Sequence, residues 1–90
     1  MIQVSGDSME PTLAHGDDIM VDSSDAAERL RDGIYVVRLD DGLIVKRVEV
    51  GPKKAVHLRS DNKLHPDIEN VDLSRMAVIG RVMWAGRKIR

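Results

Sequence analysis

Residues 34–50 read IYVVRLDDGLIVKRVEV, two apolar runs separated by a short polar stretch. Valine, isoleucine and tyrosine favour strands, and glycine readily adopts the positive φ of a tight hairpin turn. The stretch therefore predicts a β-hairpin whose strands run from Ile34 to Asp40 and from Leu43 to Val50, with Asp41-Gly42 as the turn.

The apolar alternation outside this hairpin also has a period of mostly two residues, which is typical of strands. The predicted elements are, in chain order, a strand at Asp18–Asp22, a helical turn at Asp25–Leu30, a turn at Gly51–Lys54, a strand at Ala55–Ser60, a loop at 60–70 and a strand at Met76–Ala85 interrupted by Gly80. No repeat or linker-like stretch divides the chain. The sequence thus predicts one domain, residues 1–90, with a small, mostly β, antiparallel and hairpin-rich fold and one or two short helical turns.

The composition limits the classes of function. Fourteen basic and fifteen acidic residues leave a formal net charge of -1, and the absence of a dense Lys/Arg run disfavours direct binding of nucleic acid. The lack of cysteine excludes disulfides and thiolate metal sites. No apolar run approaches the ~20 residues that span a bilayer, and the N-terminus has no signal-peptide pattern. We therefore expect a cytoplasmic protein without a membrane partner.

Lys46 is the charged residue that stands out in the predicted hairpin. Side chains alternate across a strand, so Lys46 shares a face with Ile44, Val48 and Val50. Burial would lower the pKa of this lysine and make it a candidate general base. The alternative is that the side chain lies along the strand and extends its amine into water. Arg47 and Glu49 share the opposite face, where we expect a solvated pair.

Ser8 lies in a predicted tight turn that begins at Gly6. Pro11 is tolerated near the start of a helix, so Ser8 is expected at or just before a helical turn over Met9–Leu13. Backbone N–H groups are unpaired at such a turn, and those of Asp7 and Ser8 could form an oxyanion hole. The alternative is that Ser8 is an N-cap. With Lys46 as the base, Ser8 is a candidate nucleophile, because serine–lysine pairs are a known form of activated serine.

Other chemistry-bearing residues favour structural roles. His15, His57 and His65 lack close metal-ligand spacing and are predicted to be surface or edge histidines. The acidic pairs Asp17-Asp18 and Asp40-Asp41 are typical of turns and caps. No metal or other cofactor is indicated. The remaining serines are predicted to lie in turns or at edges: Ser5, Ser23, Ser24, Ser60 and Ser74.

Two segments match in order, spacing and flanks the C-terminal domains of LexA-like and phage-type repressors, the self-cleaving group that includes UmuD. The segment 5–13, followed by Gly16-Asp17, resembles the nucleophile box of that family, and 42–48 resembles the strand that carries its lysine. Ser60-Asp61-Asn62 and 78–82 resemble its closing segments. The likeness extends from about Val4 to Arg87.

The resemblance implies a serine endopeptidase with Ser8 as nucleophile, Lys46 as general base and the Asp7 and Ser8 amides as oxyanion donors. It also implies a small, mostly β, homodimeric domain, often with the C-terminal strand at the interface, that cleaves the hinge to its own N-terminal DNA-binding domain. Cleavage would relieve repression, with a RecA filament as trigger in the SOS response, and DNA would be bound through the upstream domain. Because Ser8 has seven residues before it, we expect a cleavage product or truncated form. The scissile bond of this family is commonly Ala-Gly, but we expect that Ala85-Gly86 is not that bond, because it lies in the last strand.

Two other functions remain open from the sequence. A repressor could keep the serine and lysine without using them and act as a non-enzymatic dimerisation module that answers to an antirepressor or a ligand. A signal-peptidase relative would share the Ser-Met-x-Pro-Thr-Leu box and the Lys-Arg strand, but such enzymes usually carry an apolar membrane anchor. Cleavage assays on Ser8→Ala distinguish the first alternative, and the upstream sequence distinguishes the second.

Overall fold

A computed structural model describes residues 2–24, 29–40 and 42–86 of the chain. Within these ranges the strands are β1 (Ile2–Gln3), β2 (Asp18–Asp22), β3 (Gly33–Leu39), β4 (Gly42–Val50), β5 (Val56–Arg59) and β6 (Met76–Gly86). They form one sheet in the order β1-β2-β6-β3-β4-β5, with every neighbouring pair antiparallel. The predicted fold class, a small and mostly antiparallel β domain, is confirmed.

The central hairpin of β3 and β4 lies where the sequence predicts it. Its register runs from Gly33 opposite Val48 to Leu39 opposite Gly42. The predicted turn at Asp41-Gly42 is therefore wrong, because Gly42 already belongs to β4 and the strand β3 ends before Asp40. Asp40 supplies a positive φ of 55°, a conformation that a short polar side chain tolerates. Asp41 lies outside the described residues.

Strand β6 joins the two parts of the sheet by pairing with β2 on one side and β3 on the other. The predicted interruption at Gly80 is wrong, because β6 is continuous. Its pairing shifts register against β3 between Val36 and Val37 and against β2 between Met20 and Val21. Gly80 is needed for close approach instead. A Cβ there would lie 2.3 Å from Val21 Cγ1 and 2.8 Å from the Asp22 carbonyl oxygen.

The sheet carries one hydrophobic core on each face, because successive residues of β3 point to opposite sides. Tyr35 and Val37 belong to the first core with residues of β4, β5 and the following loop: Val48, Val56, Leu58 and Val71. Val36 belongs to the second core with Ile19 and three residues from the N-terminal segment: Val4, Met9 and Leu13. This packing fixes the Ser8 turn against the second face.

Helical structure differs from the sequence prediction in position. The expected helical turn at Met9–Leu13 is a single turn closed by the Leu13 N–H, which donates to the Met9 carbonyl at 2.9 Å. Two 3-10 turns occur instead at Pro52–Lys54 and Leu73–Arg75. Of the turn predicted at Asp25–Leu30, residues 25–28 lie outside the described residues. No helix in the described ranges has the length and apolar character to cross a membrane.

The open edge of β4 determines where the site can form. Strand β5 pairs with β4 over residues 47–50, so residues 42–46 of β4 extend beyond the end of β5. Within the described part of the chain, this half of β4 has β3 as its strand partner and a free opposite edge. Side chains from both faces of the sheet can approach each other around this edge.

Candidate active site

Ser8 and Lys46 line the same groove at the free edge of β4. The groove has a volume of about 260 Å³. Its other lining residues come from the N-terminal segment and from β3 and β4: Ile2, Gln3, Val4, Ser5, Gly6, Met9, Val36, Leu43, Ile44 and Val45. The two candidate catalytic residues, 38 positions apart in the chain, are thus brought to one largely apolar site.

Lys46 lies on the predicted face of β4, with Ile44 and Val50 packed against the first core and Val48 inside it. Its Nζ donates a hydrogen bond to Ser60 Oγ at 2.8 Å. Burial lowers the pKa of Lys46, and the Asp67 carboxylate opposes that shift by favouring the ammonium. The alternative of an amine simply extended into water does not describe this side chain, because its amine binds a buried hydroxyl.

Ser60 is the functional contact that the sequence analysis missed. It directly follows the edge strand β5, in agreement with its predicted position, but it is 2% exposed. Its Oγ donates to the Pro66 carbonyl at 3.2 Å and accepts from Lys46, while its N–H donates to Asp67 Oδ1 at 2.7 Å. The likeness of Ser60-Asp61-Asn62 to a family segment was the available signal, but it did not indicate this contact.

The next residue, Asp61, joins the lysine strand to the Ser8 segment. Arg47 donates to both Asp61 carboxylate oxygens at 2.8 Å, and Thr12 Oγ1 donates to Oδ2 at 2.6 Å. The hydrogen bond from Arg47 lowers the pKa of Asp61, and the bond from Thr12 adds to the effect. The expected solvated pair of Arg47 with Glu49 is therefore wrong: Arg47 pairs with Asp61, and Glu49 pairs with Arg59.

Asn62 holds the backbone of the Ser8 turn. Its N–H donates to the Ser8 carbonyl at 2.9 Å, and its Nδ2 donates to the Asp7 carbonyl at 3.0 Å. Two histidines also touch the turn. His15 Nδ1 accepts from the Gly6 N–H at 2.9 Å, and His65 Nε2 lies 2.6 Å from Asp7 Oδ1.

The groups of the Ser8 turn that could act in chemistry are free within the described residues. The Ser8 hydroxyl and the N–H groups of Asp7 and Ser8 have no hydrogen-bond partner there. The N-cap alternative needs the Ser8 oxygen to accept a backbone N–H, and no such bond is present in this part of the chain. Ser8 and Lys46 line the same groove without a hydrogen bond between them, and the lysine amine donates to Ser60.

The third predicted histidine has a structural contact of its own. His57 Nδ1 accepts from the Asn70 N–H at 2.8 Å and lies 3.0 Å from Glu69 Oε2. His15 is exposed, whereas His57 and His65 are partly buried. These positions agree with the prediction of surface and edge histidines: His57 lies in the edge strand β5, and His15 and His65 lie in loops.

A serine and a half-buried lysine thus share an apolar groove on a small antiparallel sheet, and these are the two residue types that serine–lysine peptidases use. The chain belongs to the peptidase S24-like family, whose model matches residues 1–83. The resemblance to LexA-like and phage-type repressor C-terminal domains is thereby confirmed at the level of the family.

A curated relative of the chain is the repressor protein CI of Enterobacteria phage phi80. The two sequences are 33% identical over 81 residues, which is 89% of this chain and 33% of the relative. The chain therefore spans about a third of the length of the repressor that it matches.

Proposed function

We propose that this chain is the C-terminal, latent self-cleaving domain of a phage-type or LexA-like transcriptional repressor, and that Ser8 and Lys46 perform the cleavage. The observation that carries the proposal is the shared groove, in which a hydroxyl without a described partner and a lysine with a lowered pKa face the same space. A cationic lysine cannot accept a proton, so the lowered pKa favours the catalytic form.

The proposed chemistry is acyl transfer. Neutral Lys46 accepts the Ser8 proton while Ser8 Oγ attacks the carbonyl carbon of the scissile peptide, and the Asp7 and Ser8 amides stabilise the oxyanion. The tetrahedral intermediate collapses, Lys46 protonates the leaving amine, and an acyl-serine ester remains. Water then attacks the ester with Lys46 again as base, which releases the carboxylic acid and regenerates Ser8.

Ser60 supports this chemistry by fixing the direction of one hydrogen bond. The Ser60 proton is directed to the Pro66 carbonyl, so Ser60 Oγ accepts from Lys46. A neutral lysine amine has two N–H donors and one lone pair. With one N–H bound to Ser60, the lone pair stays available for the Ser8 proton.

The open edge of β4 is suited to an extended peptide. Unpaired strand edges bind peptides by adding a strand, with backbone hydrogen bonds for affinity and pockets for alternate side chains. We infer that the hinge upstream of the chain lies along residues 42–46 as the substrate. Cleavage would separate the DNA-binding domain from a dimerising domain and relieve repression, and a RecA filament is the proposed trigger.

The experiment uses the protein together with the residues encoded upstream of this chain and follows self-cleavage from pH 7 to pH 10. We expect cleavage to accelerate as pH rises and to be lost in Ser8→Ala and Lys46→Ala. Ser5→Ala is the matched control, because Ser5 lines the same groove three residues away. An uncut hinge at every pH in a chain that still dimerises would instead support the non-enzymatic module.

A further inference from the structure

Asn62 contacts the Ser8 turn through both its side chain and its main chain. Its side-chain amide has a defined orientation, because Nδ2 donates to the Asp7 carbonyl and Oδ1 accepts from the Leu64 N–H, each at 3.0 Å. The reverse orientation would place like groups against each other. Its main chain adds a donor to the Ser8 carbonyl and an acceptor for the His65 N–H.

The contact to Asp7 acts on the peptide unit that contains the Ser8 amide. The Asp7 carbonyl and the Ser8 N–H belong to one planar unit and point in opposite directions when the bond is trans. Asp7 O accepts from both Asn62 Nδ2 and the Glu10 N–H. Two donors therefore fix the plane of this unit with the carbonyl toward residue 62 and the Ser8 N–H away from it.

The lining of the groove agrees with this orientation. Gly6, Ser8 and Met9 line the groove, whereas Asp7 and Asn62 are not among the described residues that do so. The Asp7 side chain also points to the outer loop, where it meets His65. The Ser8 amide is thus directed to the groove side of the turn.

We propose that Asn62 is a positioning residue that aims the Ser8 N–H at the oxyanion, which rests on the proposed function of Ser8. The Gly6–Asp7 unit lacks a comparable clamp, since its carbonyl accepts no hydrogen bond from the described residues. Of the two proposed oxyanion donors, the Ser8 amide is therefore the one that the loop at residue 62 controls.

The test compares Asn62→Ala and Asn62→Asp in the protein with its upstream residues. Alanine removes both functions of the side-chain amide, whereas aspartate keeps an acceptor for the Leu64 N–H, so the shared loss is the donor to Asp7. Removal of an oxyanion donor costs about 100-fold to 1,000-fold in rate, and a misdirected donor should cost at least ~10-fold. We expect this loss at the alkaline plateau in both variants, with the pH midpoint of Asn62→Ala unchanged because Lys46 is intact.

A second readout follows the peptide unit itself. A hydrogen bond to a carbonyl polarises the N–H of the same unit, so the Ser8 amide resonance in 1H–15N spectra should move in both variants. Leu64→Ala is the control, because Leu64 is 89% exposed in the same turn. A merely structural role would lower stability without this selective loss of plateau rate.

The outcomes separate the two proposals. If the wild-type protein cleaves and both Asn62→Ala and Asn62→Asp reach the wild-type plateau rate, the positioning role is overturned and the proposed function is left intact. A Ser8 resonance that stays in place in both variants would overturn the role as well. An uncut wild-type protein would overturn the proposed function and, with it, the role of the Asn62–Asp7 hydrogen bond in cleavage.

Discussion

The Ser8 turn and strand β4 contribute one candidate catalytic residue each, but they are held in place by different means. Strand β4 is fixed by backbone pairing with β3 over residues 42–48 and with β5 over residues 47–50. The Ser8 turn is held by packing of Met9 in the second core and by two hydrogen bonds from Asn62, a residue more than 50 positions later. Strand pairing consists of many equivalent backbone hydrogen bonds and tolerates the substitution of single side chains. A turn that is held by a few specific contacts depends on each residue that makes them.

The largest expected effect is a loss of folding stability when the core beneath β4 and β5 is truncated. Leu58 is fully buried, and truncation of such a leucine costs about 2–5 kcal/mol through lost burial and a cavity. Leu58→Ala should lower the free energy of unfolding by this amount in a denaturant titration. Leu64→Ala is the matched control and should change it little, because Leu64 is exposed. Equal costs for the two leucines would contradict the described core.

A smaller effect, on the rate of cleavage, is expected at Ser60, which binds the Lys46 amine of β4. Ser60→Ala removes the acceptor of the Lys46 N–H, so the amine loses its orientation and the plateau cleavage rate should fall by ~10-fold or more. The ammonium form also loses a hydrogen bond, which should move the pH midpoint of cleavage to lower pH. Ser74→Ala is the control, since Ser74 bonds Asp72 on an exposed turn. An unchanged rate and midpoint would contradict the role of Ser60.

The ion pair between Arg47 and Asp61 should contribute about 1 kcal/mol to the free energy of unfolding, which is the upper range for a partly exposed ion pair. Arg47 lowers the pKa of Asp61, so its stabilisation is present at neutral pH and is lost as pH falls through that lowered pKa. The melting temperature of Asp61→Asn should lie below that of wild type at pH 7, and the difference should shrink toward pH 2. Asp40→Asn is the control, because the Asp40–Arg75 pair is exposed on both sides. A difference that persists at low pH would contradict this assignment.

The smallest expected effect concerns the charge on Lys46. Burial lowers the pKa of Lys46, so below that pKa the folded protein bears a cost for protonating the amine that the unfolded chain does not bear. Lys46→Met should therefore raise the melting temperature near neutral pH, with a gain that shrinks as pH rises toward the ordinary lysine pKa. Lys63→Met is the control, because Lys63 lies at an exposed loop position. A loss of stability at neutral pH would contradict the burial argument.

The strands that show a clear two-residue alternation could be predicted from the sequence. The strand at Asp18–Asp22 matches its predicted bounds, and the pairing of β3 with β4 and the face of Lys46 follow from alternation. The turn chemistry of Asp41-Gly42 did not locate the loop, because Gly42 already belongs to β4. The two-residue strand β1 was not predicted, because it is too short to show a period. Nor was the sheet order, which places β6 between β2 and β3.

The contacts that assemble the site could not be predicted in the same way. Ser60, Asp61 and Asn62 form a short polar segment of the kind found in ordinary loops, and the partners of that segment lie near residue 8 and at residues 46–47. Nothing in the local pattern indicates these partners, because the distances depend on how the loop after β5 folds back. Family resemblance marked the segment as significant but did not assign its contacts.

The position of β6 also governs timing during synthesis. The ribosome releases β1 and β2 first and β3 to β5 next, yet these two groups have β6, residues 76–86, as the strand between them. A nascent chain that ends before residue 76 already contains Ser8 and Lys46 but cannot close the sheet that supports both. Long-range pairing of this kind requires the last strand, so we expect the site proposed for Ser8 and Lys46 to form only after residues 76–86 have been translated.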